Sequence, residues 1–259
     1  MRVDRLCPLL LFLIAASSSH AQSQQQMPRD YPGVRVRIPG IFVTPVSGAP
    51  FSATVDIVSQ EKLPDGTTNT RTSTAHIARQ STGRIYNEAR ALVPPTYKGD
   101  PPLLSSLVYD PTTRLSIFLN PYTHLAHESV LQRPPAPPPN SVPPRPGNVP
   151  NPFLKEEELG TQYVGTVLLR GIRKSRTVPA DQSGTEQQIV IVDEYWYSSD
   201  LSIYMIIKHN DPRTGEQIVA VSNITRQEPD PAQFNVPAKY RVVDETPEPS
   251  SANEPAQTK

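Results

Sequence analysis

The stretch Phe51–Arg79, "FSATVDIVSQEKLPDGTTNTRTSTAHIAR", decides the fold, because apolar and polar residues alternate along its first part. One face of this extended chain carries Phe51, Ala53, Val55 and Ile57. The Asp65-Gly66 pair predicts a tight turn before a second extended run. A further turn and the run "RIYNEARALV" follow. We therefore predict three antiparallel strands in a meander.

A short repeated pattern marks further turns. It reads "DPTTRL" at Asp110, "NPYTHL" at Asn120 and "DPRTG" at Asp211. An Asp or Asn side chain can accept a hydrogen bond from the turn backbone, and the following Pro presets φ. Each copy predicts a strand-to-strand connection and not a repeated binding site.

The fold class that we predict is mainly β, a curved antiparallel sheet or half-open β-barrel with one short helix. Five more extended runs between Thr161 and Val243 bring the total to about ten strands. The helix is predicted over "NPFLKEEELG", with Asn151 as N-cap, Pro152 in the first position and Gly160 closing the end.

The first 21 residues predict export. Two arginines precede an apolar run from Leu6 to Ala16, and small residues follow up to Ala21, as in a secretory signal peptide that is cleaved near Ala21. That run is too short to span a bilayer, and no transmembrane segment is predicted in the mature chain. We expect a periplasmic or extracellular protein. The single cysteine, Cys7, falls in the removed peptide, so the mature chain has no thiol and no disulfide.

Proline content divides the remaining chain. Of the 31 prolines, many fall in "PPAPPPNSVPPRPGNVPNP", residues 134–152, which we interpret as an extended, polyproline-type loop. This loop is a docking ligand for a partner, a spacer, or a tolerated surface insertion. The predicted organisation is a signal peptide (1–21), a disordered N-terminal tail (22–39), a single β domain (40–245) with the loop inserted, and a disordered C-terminal tail (246–259).

Several function classes are disfavoured by composition and motifs. The chain has 25 basic and 25 acidic residues, and the signal peptide contains two of the basic and one of the acidic ones. The mature chain therefore keeps 23 basic and 24 acidic residues, without the excess of positive charge that binds nucleic acid. His124 and His127 have the spacing of metal ligands on a helix but lie in a strand-rich region, where a surface or cross-strand role is favoured. No phosphate-binding, dinucleotide or nucleophile-elbow motif occurs, and neither a metal nor a cofactor is predicted.

The region around the single tryptophan is predicted to form β-strands. In the run from Ile189 to Tyr197, Asp193 and Glu194 point to opposite faces and cannot form a carboxylate pair by themselves. The run beginning at Ile203 is apolar on both faces, which predicts an interior strand that is covered on both sides or faces a concave cavity.

The order "LPDGT", "LGTQYVG", "DEYWYSSDL", "KHNDPRTGEQ" and "SNITRQEPDPAQFNVPAKY" resembles a family of uncharacterised exported bacterial proteins. More distantly, the Trp-Tyr-Ser strand, its following hairpin and the closing "F-x-V-P-x-x-Y" resemble LolA-like periplasmic proteins, whose half-open barrel holds acyl chains. That resemblance implies an apolar ligand wall made of Trp196, Ile203, Met205, Ile207, Val219, Val221, Phe234 and Tyr240. No catalytic residue and no metal ligand are implied.

Three function hypotheses remain open at the sequence level. The leading one is a non-enzymatic, monomeric envelope protein that binds an apolar ligand or a lipid-bearing partner on a concave sheet face. The alternative is a structural or protein-interaction module that uses a sheet edge or the proline-rich loop. The third is a hydrolase, which requires His76, His124, His127 or His209 to meet a carboxylate in one cleft.

Overall fold

The computed structural model describes residues 38–132 and 152–248, and within them twelve strands form one open, curved sheet. The strands are β1 (Phe51–Lys62), β2 (Thr68–Arg79), β3 (Ile85–Arg90), β4 (Leu103–Asp110), β5 (Leu115–Asn120), β6 (Leu125–Val130), β7 (Leu154–Val164), β8 (Val167–Val178), β9 (Ile189–Ser198), β10 (Ile203–Asp211), β11 (Gly215–Thr225) and β12 (Arg241–Asp244). Their order is β12-β6-β5-β4-β3-β2-β1-β11-β10-β9-β8-β7. The predicted fold class is confirmed.

Parts of the predicted organisation lie outside the described residues. These are the signal peptide, most of the two terminal tails and the proline-rich loop up to residue 151. Two described residues inside the predicted tails make specific contacts. Ile38 bonds to the Gln217 side chain, and the Thr246 hydroxyl accepts a hydrogen bond from the Val130 amide.

The hairpin turns form as the repeated pattern predicts. The Asp110 carboxylate accepts a hydrogen bond from the Thr112 amide at 2.8 Å. Asn120 and Asp211 each accept one from the amide two residues on, at 2.9 Å in both cases. These side chains satisfy backbone donors that the turn would otherwise leave unpaired. The three turns join β4 to β5, β5 to β6 and β10 to β11.

The sheet carries an apolar cluster on each face. Consecutive residues of β2, Ile77 and Ala78, point to opposite sides and belong to different clusters, as do Ile85 and Tyr86 of β3. The first cluster includes Phe51, Val55, Ile77, Ile85, Leu169, Met205, Val219 and Val221. The second includes Ala78, Tyr86, Val108, Ile117, Leu119, Ala126 and Phe234. We call the side of the first cluster on β1–β3 and β11 the core face, and the side of the second the rear face.

The prediction of a helix over Asn151–Gly160 is wrong. From Leu154 onward this stretch is the edge strand β7, and the single short α-helix of the described residues is α1 (Ala180–Ser183). Gly160 has a left-handed φ of 77° at a register shift in the ladder and does not close a helix. The local capping pattern was overridden by tertiary pairing with β8.

Charge explains why the acidic run pairs with β8. Glu157 lies directly opposite Arg173, and Glu156 lies opposite Lys174 with its carboxylate 3.2 Å from the lysine ammonium. Arg173 also donates two hydrogen bonds to Glu194 of β9, at 2.9 and 2.7 Å. Cross-strand pairs of opposite charge stabilise a sheet, whereas a helix would crowd the three glutamates with only Lys155 nearby to offset their charge.

Gly171 of β8 allows Trp196 to lie against the first cluster. The two residues are directly opposite across the β8–β9 ladder, and a Cβ built on Gly171 would lie 2.6–2.8 Å from three ring atoms of Trp196. We expect Gly171→Ala to lower the free energy of unfolding by about 1–3 kcal/mol, because the ring must shift in a packed core. Urea denaturation measures this change.

A double-mutant cycle tests the cause of that loss. In a Trp196→Leu background the ring is gone, so adding Gly171→Ala should cost much less than it does in the wild type. Equal costs in both backgrounds would contradict the proposed ring contact.

Candidate functional site

The structure does not bring the eight predicted wall residues together. Ile203, Met205, Val219 and Val221 are fully buried in the first cluster, with Trp196 and Ile207 packed against it. Phe234 and Tyr240 belong to the second cluster, on the rear face. Five of the eight, including Phe234, are enclosed by the chain's own side chains and offer a ligand no surface in this arrangement. Their ligand-binding role stays a prediction.

An extended segment that the sequence interpretation assigned in part to a disordered tail covers the core face. We call residues 38–44 the strap. Ile41 and Val43 of the strap are buried in the first cluster. The Ile38 amide donates to Gln217 Oε1 at 2.8 Å, and Gln217 Nε2 donates back to the Ile38 carbonyl at 3.1 Å. Gln217 therefore holds the strap by its backbone, as a neighbouring strand would.

Two further side chains fix the far end of the strap. The Val43 amide donates to Asn87 Oδ1 at 3.1 Å. The guanidinium of Arg79, which is fully buried, donates to the carbonyls of Thr44 and Ala49 at 2.8–3.0 Å and lies 5.1 Å from the Phe51 ring centroid. Burial lowers the pKa of Arg79 from its ordinary value. A sequence signal for the strap does exist, namely the apolar spacing of Ile38, Ile41 and Val43 beside a prolyl-glycine pair.

Two grooves flank the strap on the core face. The larger has a volume of about 360 Å³ and is lined by Ile38, Pro39, Ile57, Ala89, Arg90, Ala91, Leu92, Leu104 and Gln217. The smaller, of about 170 Å³, is lined by Pro39, Gly40, Ile41, Phe42, Asn87, Glu88, Ala89, Ser105 and Leu107. Pro39 and Ala89 belong to both linings, so the grooves meet beneath the strap.

Exposed apolar side chains extend this surface beyond the grooves. Phe42 on the strap and Leu104 on β4 are both exposed. Leu107 lies directly opposite Phe118 of β5, which is also exposed. The strap thus covers the core face near β1, while the same face of β4 and β5 presents apolar side chains to solvent.

A charge-compensated cluster borders the grooves. Glu88 accepts hydrogen bonds from Arg90 Nε at 2.7 Å, from the Tyr86 hydroxyl at 2.9 Å and from the His76 amide at 3.1 Å. Burial acts to raise the pKa of Glu88, but these hydrogen bonds outweigh it and hold that pKa below its ordinary value. Burial raises the pKa of Tyr86 strongly. Because Arg90 is paired with this carboxylate, the groove presents little net charge to a ligand.

The histidines required by the hydrolase hypothesis are distributed over the sheet. His127 lies 2.6 Å from Glu245, and His209 lies 2.6 Å from Asp193, with six strands between β6 and β10. The His124 ring contacts the Tyr240 ring at 5.5 Å. Within residues 38–132 and 152–248, no group of three or more His, Asp or Glu side chains could hold a metal ion. No helix in these same ranges is long and apolar enough to cross a membrane.

Asp193 and Glu194 diverge as predicted. The Asp193 carboxylate bonds to His209 of β10, while Glu194 bonds to Arg173 and lies 3.6 Å from the Lys208 ammonium. The hydrogen bond that His209 donates to the Asp193 carboxylate raises the pKa of His209 above 6.5, against the opposing effect of burial. Neighbouring Asp211 also raises it, and Arg176 lowers it.

Comparison with known proteins finds several solved structures that resemble this chain in fold. No family model and no curated protein match the chain. An uncharacterized conserved protein from Thermus thermophilus is 10% identical, with a TM-score of 0.40 over 76% of this chain and 90% of that chain. A LolA superfamily protein from Nitrosomonas europaea is 12% identical, with a TM-score of 0.29 over 72% and 90%. The lipoprotein LppX from Mycobacterium tuberculosis is 11% identical, with a TM-score of 0.26 over 66% and 84%. A LolA superfamily protein is thus among the solved structures to which this chain is similar, at low sequence identity.

The His209–Asp193 pair predicts a pH dependence of stability. Because the pKa of His209 is higher in the folded chain than the ordinary 6.5, the pair stabilises the fold fully below that value and loses its contribution as pH rises through the folded-state pKa. In the wild type, the free energy of unfolding should decrease between about pH 5.5 and about pH 8.5. We expect this decrease to be smaller in His209→Asn, as measured by urea denaturation at several pH values. A slope unchanged in His209→Asn would refute the assignment.

Proposed function

We propose that this protein is an exported, non-enzymatic binding protein that holds an apolar ligand, or the acyl part of a lipid-bearing partner, on its core face beside the strap. The observation that carries the proposal is the pair of joined grooves that continue into exposed Leu104 and Phe118. Export rests on the signal peptide predicted from residues 1–21.

The dimensions and lining of the larger groove support a small ligand. Its volume of about 360 Å³ falls in the range of pockets that bind small molecules. Most lining side chains are apolar, and the polar ones already have partners, since Arg90 pairs with Glu88 and Gln217 with Ile38. A ligand here would be bound by burial of apolar surface at ~25 cal/mol per Å², with few directional bonds.

The position of this site differs from the wall that the sequence predicts. Val219 and Val221 lie beneath the covered part of the core face, whereas the grooves open toward β3 and β4. A ligand that enters beside the strap can lie against Leu92 and Leu104 without displacing any fully buried residue. The predicted wall residues of the first cluster, such as Val219 and Val221, then belong to the packed core beside the grooves.

Substitutions on β4 test the proposal. Leu104 is 44% exposed, so Leu104→Asp should leave the fold intact while placing a carboxylate in the groove. We expect it to weaken binding of the fluorescent fatty acid cis-parinaric acid by about tenfold or more, since losing the burial of one leucine costs about 1.5–3 kcal/mol. Fluorescence titration of the mature chain, residues 22–259, measures the affinity.

A matched control lies on β7. Leu154 is 47% exposed but belongs to the opposite edge of the sheet, so Leu154→Asp changes charge and exposed apolar area in the same way. It should bind the probe as the wild type does. Equal loss in both variants, or unchanged affinity in Leu104→Asp, would reject the groove as the binding site.

A further inference from the structure

The last strand of the sheet has a free outer edge. β7 pairs with β8 on one side and ends the strand order on the other. Nine of its eleven residues are exposed, so nothing in the described part of the chain covers this edge. An edge of this kind presents a row of unpaired amide and carbonyl groups, to which a further strand can bind.

The backbone bonds to β8 determine which residues of β7 point outward. The Phe153 carbonyl accepts a hydrogen bond from the Thr177 amide at 2.8 Å. Hydrogen-bonded and non-hydrogen-bonded positions alternate along an antiparallel pair. In the first half of β7, Glu156 and Glu158 therefore direct their backbone groups away from β8.

The second half of β7 has the opposite phase, because the register shifts beyond Glu158. Val164 and Val167 flank a two-residue turn, and the residues that flank such a turn form a hydrogen-bonded pair. Counting back from Val164, Thr161 and Tyr163 direct their backbone groups outward. The outward residues are thus even-numbered before the shift and odd-numbered after it.

This pattern makes β7 complementary to a second copy of itself in the antiparallel direction. Outward residues of one copy meet outward residues of the other when the two halves of the strand exchange places. The facing pairs are then Glu156 with Tyr163, Glu157 with Gln162, and Glu158 with Thr161. Each glutamate faces a side chain that can donate a hydrogen bond. A register two residues away would instead place Glu158 opposite Leu159, and a parallel arrangement in register would place glutamate on glutamate.

The glutamates of β7 do not repel a second copy, because β8 neutralises their charge. The ion pairs are Glu156 with Lys174 at 3.2 Å, Glu157 with Arg173 at 3.6 Å, and Glu158 with Arg170 at 2.5 Å. Edges that are protected from pairing carry uncompensated charge. Here each carboxylate has its cation on the same sheet, and it keeps further lone pairs for a donor on another chain.

We propose that β7 joins two copies of this protein into a symmetric dimer, in which the β7 strands are antiparallel and Glu157 lies opposite Gln162 of the second copy. The sheet continues across the two-fold axis, and such a contact closes at two copies. A dimer differs from the monomer expected from the sequence. The proposal goes beyond the binding function of the grooves and does not depend on it, because no residue of β7 lines them.

Disulfide formation between two single-cysteine variants tests the register. The mature chain, residues 22–259, contains no cysteine, since Cys7 lies in the predicted signal peptide. A mixture of Glu157→Cys and Gln162→Cys should form a disulfide-linked dimer on mild oxidation, because facing non-hydrogen-bonded residues have Cα atoms ~4.5 Å apart. Each variant alone should give at least about tenfold less product on a non-reducing gel. A mixture of Lys155→Cys and Gln162→Cys, two residues out of register, is the matched control and should also give little.

Charge substitutions test the dimer without a cross-link. Thr161→Glu combined with Gln162→Glu places carboxylates opposite Glu158 and Glu157 of the second copy. Like charges directly opposite destabilise a strand pair, so this variant should dimerise at least about tenfold more weakly. Thr161→Lys combined with Gln162→Lys changes the same positions and should dimerise at least as tightly as the unchanged chain. Sedimentation velocity between about 1 and 100 µM protein measures the equilibrium, and circular dichroism checks that both variants are folded.

Three results would overturn the proposal. The first is an unchanged chain that stays monomeric over this concentration range. The second is equal dimerisation of the glutamate and lysine variants, which would place the contact elsewhere on the molecule. The third is as much disulfide product from the out-of-register mixture as from the facing one. Binding of cis-parinaric acid should be the same in the glutamate variant and in the unchanged chain, so loss of the dimer and failure of the groove proposal are distinguishable.

Discussion

The ladder between β1 and β11 joins the two halves of this molecule. On one side of it lie β2 to β6 with β12, and on the other lie β10 to β7. The partners are far apart in sequence, as in the hydrogen bond of 2.6 Å from the Ser222 hydroxyl to Asp56. At one end of the ladder, any side chain at Gly215 would collide with the Gln60 carbonyl, and φ there is +111°. This close approach requires glycine, and without the ladder each half would be left with an exposed strand edge.

An open sheet has two faces to cover, and the chain covers them with irregular segments in place of helices. The strap packs Ile41 and Val43 over the core face, and the short 3₁₀ helix Pro231–Phe234 inserts Phe234 on the rear face. Segments without a ladder must satisfy their backbone groups through side chains, which is the role of Gln217 and Arg79 for the strap. The cover ends before β4, which is why apolar side chains on β4 and β5 reach solvent.

The sequence predicts the parts of this fold whose causes are local. Alternation from Phe51 to Ile57 and the Asx turn at Asp110 are set by neighbouring residues, and both are found. The helix expected at Asn151–Gly160 fails because Arg173 and Lys174, far along the chain, pair with its glutamates. The apolar spacing of the strap is visible in the sequence, but its anchoring could not be foreseen, since Gln217 lies 179 residues from Ile38. The ligand wall was inferred from a distant family resemblance, which does not distinguish an apolar residue that packs inside from one that meets a ligand.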